Sequence, residues 1–163
     1  MVCLTEARSH PERWFGSTPA WRLPLERDAK RHFGREITMA QTATTLTYWH
    51  TGLRVSGRIA PVPVTIRFYA QPPYTLYGLS PQDYPRVFAD PGAQSKHRMP
   101  EDDSLCLFYA GDPVEHRWTS DKGLLSLFDL TADHLFHEDY WRSTGGSRKG
   151  IWLGREAPHG FAA

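Results

Sequence analysis

Cysteine is scarce in this chain: Cys3 and Cys106 are the two in 163 residues. A disulfide framework is therefore not expected, and a reducing compartment keeps both as thiols unless they serve redox or catalytic chemistry. Long apolar runs are missing too. None nears the ~18 residues that a membrane span needs. The opening MVCLTEARSHPERW lacks the basic-then-apolar layout of a secretory signal, so a cytoplasmic location is expected. Charge of one sign is also lacking, with 19 Lys and Arg against 18 Asp and Glu. That balance gives no general attraction to nucleic acid or an anionic membrane. No glycine-rich nucleotide loop occurs, which argues against ATP use by this chain. No internal repeat is visible, and asparagine is absent altogether.

What is present suits one compact unit, since single cores commonly run to roughly 100–200 residues. Thirteen prolines and thirteen glycines are spread through an aromatic-rich chain, which points to an α+β domain with long ordered loops rather than a helical bundle. Residues 1–40 read as a helical or irregular segment, with the charged stretch from Glu26 to Arg31 as a short helix. Over 44–90 the runs TLTYW, LRVSGRI and VTIRFYA are rich in β-branched and aromatic residues, broken at Thr51-Gly52 and Ala60-Pro61. With YPRVF as a short edge strand they read as an antiparallel meander of about four strands. Residues 91–118 show no periodicity and form a long structured loop, and such loops tend to carry function. Leu124, Leu127, Phe128, Thr131 and Leu135 then recur at helical spacing, predicting a helix over 121–141 capped by Thr119 or Ser120. The tail over 145–163 holds too many apolar residues to be left free and is expected to pack back on the domain.

Cys106 lies in SLCLF, behind the acidic turn Glu101-Asp102-Asp103. Taken alone it reads as a buried core thiol. The neighbouring carboxylates oppose a second anion and so oppose a depressed thiol pKa. Order and spacing add a second reading. A β-meander is followed by Tyr84-Pro85 and the strand Arg86-Val87-Phe88. Next come His97, the turn Asp102-Asp103-Ser104, and Leu105-Cys106-Leu107, then Trp118 and a long helix. The finish runs from Glu138, Tyr140 and Trp141 through Ser143-Thr144-Gly145 to Trp152, Gly154 and His159. Over roughly residues 44–160 this series resembles the ubiquitin-conjugating enzyme family, and more closely its bacterial relatives found beside ubiquitin-like modifiers.

The resemblance implies a ubiquitin-conjugating-type fold and an acyltransferase that carries a ubiquitin-like modifier as a thioester on Cys106. An activating enzyme would supply the modifier and a target protein would receive it. A co-encoded deconjugating metallopeptidase and a setting in antiphage defence are implied as well, with no cofactor and no nucleic-acid or membrane partner. Thiol–thioester exchange is close to balanced, so such a relay needs neither a new energy source nor the paired base of a cysteine peptidase. His97, Asp103 and Ser104 join Cys106 as candidate catalytic residues, while Asp112 and His159 are candidates to orient an acceptor. Tyr84, Pro85 and Trp118 are expected to shape the site. Eukaryotic members follow the histidine with Pro-Asn, whereas this chain reads His97-Arg98-Met99. Backbone N–H groups, Ser104 or His97 would then have to steady an oxyanion.

Simpler roles stand beside these. Asp102 and Asp103 suit plain turn formation, and His159 suits a surface turn. A non-catalytic adaptor of the same fold keeps Cys106 in the core. A small zinc-dependent hydrolase using His134 and His137 is the other alternative. Their spacing with Glu138 matches neither common zinc-peptidase motif, and a satisfied or solvent-facing pair is the plainer role.

Overall fold

The computed structural model describes residues 13–156. A four-stranded antiparallel sheet packs on two helices, making an α+β architecture. In chain order these are α1 (Pro19–Phe33), β1 (Ile37–Gln41), β2 (Thr45–Leu53), β3 (Val62–Tyr69), β4 (Arg86–Phe88) and α2 (Gly123–Ser143). The strands lie in the order β1-β2-β3-β4, each beside its neighbour in sequence. Among the described residues no helix is long and apolar enough to cross a membrane.

Alternation sets the sheet's inner face. Leu46, Tyr48 and His50 of β2 and Val64, Ile66 and Phe68 of β3 are buried, and they pair across the strands in register, Leu46 with Phe68 and Tyr48 with Ile66. Against this face lies the α2 stripe of Leu124, Leu127, Phe128, Thr131 and Leu135, all fully buried. Leu25 and Ala29 of α1 close the same core. Each such large apolar side chain contributes about 1.5–3 kcal/mol on burial. The Tyr48 hydroxyl in this core is tied down, donating to Glu26 Oε1 at 2.7 Å.

Three local expectations fail for identifiable reasons. LRVSGRI is not a separate strand, because β2 ends at Leu53 and the chain then turns, with Arg58 N–H donating to the Val55 carbonyl. Arg58 is drawn instead to Asp139 on α2 and to Asp90, and Ile59 is left fully exposed. Thr51-Gly52 does not break the strand. It sits at a register shift between His50 and Leu53, where Gly52 N–H donates to His50 Nδ1 at 3.0 Å, so β2 bulges and continues. The fourth strand comes from Ile37–Gln41, almost all of it in the stretch read as helical or irregular, so the meander starts earlier than residue 44.

The helices also shift. α1 runs to fifteen residues, starting with Pro19 in its first turn, where a missing N–H costs nothing, and carrying Pro24 in its body. α2 begins at Gly123, after a tight turn over Ser120–Lys122. Thr119 does not cap α2: its hydroxyl bonds Asp121 instead. Gly123 has φ of +83°, a left-handed conformation that a side chain would strain. Its carbonyl accepts the indole N–H of fully buried Trp118 at 3.0 Å.

Candidate functional site

The loop after β4 folds into a tight hairpin that carries Cys106. Arg98 and Leu105 face each other in an antiparallel bridge. Cys106 N–H donates to the His97 carbonyl at 2.9 Å, and Met99 N–H to the Ser104 carbonyl at 2.8 Å. Leu105 N–H reaches the Val87 carbonyl at 2.8 Å, fastening the hairpin to β4. Asp102 and Asp103 build its tip. Asp102 Oδ1 accepts the Ser104 N–H at 3.0 Å, while Asp103 takes a φ of +61°, a conformation Asp tolerates better than most residues.

A second anchor ties the hairpin to α2. One edge of the Arg98 guanidinium meets Glu138, with Nε donating to Oε1 and Nη2 to Oε2, each at 2.9 Å. Arg98 Nη1 also donates to the carbonyls of Ala89 and Asp90 at 2.9 and 3.0 Å. Glu138 is fully buried. Burial alone would raise its pKa, but hydrogen bonds from His134 and Arg98 and their charge outweigh this and bring the carboxyl to about 2.

Cys106 is half-buried and opens on a cavity of about 470 Å³, a size usual for ligand pockets. Leu130, Asp133, His134 and His137, one face of α2, form one wall. Tyr84, Phe108 and Tyr109 form another, and Trp152, Gly154 and Arg155 close the groove from the tail. Trp152 meets the rings of His97, His134 and His137 with centroids 4.4, 5.1 and 5.5 Å away. The tail crosses so closely that a Cβ on Gly154 would lie 2.5 Å from His137 Nδ1, which only glycine avoids. Glu156 then bonds His97 Nε2 at 2.9 Å and pairs with Lys96.

The thiol of Cys106 is not activated. Burial pushes its pKa up to about 11, Glu101, Asp102 and Glu138 act in the same direction, and Arg86 opposes them. Arg86 is itself buried, stacked 3.8 Å above the Tyr74 ring and 3.2 Å from Asp102.

Of the residues singled out from the sequence, the groove brings together Cys106, His97, Asp112 and Tyr84. Asp112 is paired with Arg155 at 3.2 Å. Ser104 is fully buried and does not border the groove, so it is no candidate to steady an oxyanion there. Asp103 also stands outside the groove lining. Its carboxylate accepts the Gly92 N–H at 2.8 Å and lies 3.4 Å from Arg98, a loop-fastening role. Pro85 precedes β4, and Trp118 packs in the core against Phe68, neither of them bordering the groove. His159 lies outside the described residues.

Glu138, Arg98 and Trp152 were not read from the sequence as site residues, and His134 was read only as a zinc ligand of the hydrolase alternative. The one local signal was the four-residue spacing of His134 and Glu138, which puts both on one helix face. Among the described residues no group of three or more His, Cys, Asp and Glu stands close enough to hold a metal ion. The donor set that a zinc hydrolase requires is therefore not assembled there. In comparisons with known proteins, the chain matches no protein-family model, no curated protein and no solved structure.

Proposed function

We propose that this chain is a ubiquitin-conjugating-type carrier, accepting a ubiquitin-like modifier as a thioester on Cys106 from an activating enzyme and passing it to a target protein. The observation that carries this is the half-buried Cys106 thiol opening on a groove, on a hairpin between a four-strand meander and a long helix. That order of elements is the one the resemblance implies for a ubiquitin-conjugating fold. A thiol with a raised pKa also suits the role. The incoming thioester is already reactive, and the carrier must hold its acyl group without losing it to water. The setting in bacterial antiphage defence, beside a deconjugating metallopeptidase, belongs to the same proposal.

The test is direct. With modifier, activating enzyme and ATP, the protein is expected to form an adduct at Cys106 that a thiol reductant removes. Cys106→Ser is expected to give instead an ester that base cleaves and reductant leaves intact. An uncharged Cys106 beside an activating enzyme that is itself charged refutes the carrier role. A non-catalytic adaptor then takes its place, a reading supported by the small thiolate fraction that a pKa of about 11 leaves at neutral pH.

A further inference from the structure

One cluster in the groove is not used by holding an acyl group. His134 and Glu138 lie one turn apart on α2, with His134 Nε2 3.3 Å from Glu138 Oε1. Both are buried, yet His134 borders the groove onto which Cys106 opens. An ionised carboxylate accepts hydrogen bonds and donates none. In the neutral ring Nε2 therefore carries the proton and Nδ1 keeps its lone pair. Nδ1 makes no hydrogen bond among the described residues. Glu138 is gripped by Arg98 at 2.9 Å, and Arg98 belongs to the hairpin that bears Cys106. The histidine, its orienting carboxylate and the hairpin that bears the sulfur are thus joined by one chain of hydrogen bonds.

We propose that His134 is a catalytic residue, a proton relay oriented by Glu138 between an attacking amine and the departing Cys106 sulfur. It rests on the carrier role above. In this step the amine nitrogen attacks the thioester carbonyl, an N–C bond forms and the C–S bond breaks. The amine's proton passes to His134 Nδ1, and the imidazolium returns it to the sulfur. A relay matters here because a thiol held at about 11 is a poor leaving group as a bare thiolate. A buried carboxylate partner separates His134 from its neighbours. His97 is engaged with the exposed Glu156, and burial lowers the pKa of His137 with only the charge of Asp133 in support.

A small probe tests this without any modifier. Wild-type protein and His134→Gln are acylated at Cys106 with an N-acetylglycyl thioester of a water-soluble thiol. Transfer to Nα-acetyl-lysine amide is then followed by intact-protein mass. Both proteins are expected to load, with transfer about 10²–10⁴-fold slower in the variant, the usual contribution of a positioned acid–base group. Wild-type transfer is expected to show a normal solvent deuterium isotope effect, and added imidazole to restore part of the rate in His134→Ala. A variant that loads and transfers as fast as wild type overturns the relay, as does wild-type transfer without an isotope effect, which holds whether or not a variant folds. Wild-type protein that never acylates at Cys106 overturns the carrier role and the relay together.

Discussion

Replacing Glu138 with Gln should expose what holds the Cys106 hairpin on α2. The carboxylate is fully buried, accepts both Arg98 contacts at 2.9 Å, and has His134 at 3.3 Å and Arg142 at 3.5 Å. Its pKa falls from 4.5 to about 2 on folding. At ~1.4 kcal/mol per unit that is about 3 kcal/mol, and breaking a buried ion pair from one side typically costs ~3–5 kcal/mol. The two routes agree. A depressed pKa stabilises the fold above the unfolded value and loses that contribution as pH falls through the folded one. The gap between wild type and Glu138→Gln should therefore be full above about pH 5 and closed near pH 2. Urea unfolding at a series of pH values measures it. At neutral pH the midpoint should drop by roughly 1–3 M, given urea slopes of about 1–3 kcal/mol/M. A variant within about 0.5 kcal/mol of wild type, the range of an ordinary surface change, or a gap equal at both ends of the series, refutes the reasoning.

Other outcomes follow from the same geometry. Alkylation of Cys106 by iodoacetamide should rise with pH toward a midpoint near 11, because burial opposes the thiolate; a midpoint at or below the ordinary thiol value of about 8.5 would show the sulfur to be solvated. Trp152→Ala should speed that alkylation at fixed pH, since it strips the groove of a ring lying on His97, His134 and His137, and an unchanged rate would mean the tail does not screen the sulfur. Phe128→Ala should cost about 3–5 kcal/mol in chemical unfolding, the ring being fully buried against Phe33 and His50. A loss under about 1 kcal/mol would contradict that packing.

The sequence displayed the core of this fold where periodicity was uninterrupted. Every member of the α2 stripe is fully buried, and the β-branched and aromatic runs TLTYW and VTIRFY fall in β2 and β3. It hid β1, because Ile37–Gln41 is a short edge strand in which three of five positions are exposed and the polarity pattern is weak. It misled over LRVSGRI, whose fate depends on Arg58 finding Asp139 eighty-one residues away. The site divides along the same line. Cys106 stood out through the order of its neighbours, and that its thiol pKa is not depressed was legible from the adjacent carboxylates, although the raised value comes mainly from burial. The turn role of Asp102 and Asp103 was legible from residue type, but not that Asp103 and Ser104 stand outside the groove, since whether a turn residue faces a groove depends on the hairpin's register. Nor was the Arg98–Glu138 grip, a contact between residues forty apart.

Two moorings hold the strand that ends in Cys106, a main-chain bond to β4 and a charged clasp to α2. The peptide from Leu107 to Arg117 leaves from beyond both. The exposed part of that peptide, from Gly111 to His116, therefore forms a rim to the groove, while the thiol's position is set by contacts that do not pass through it.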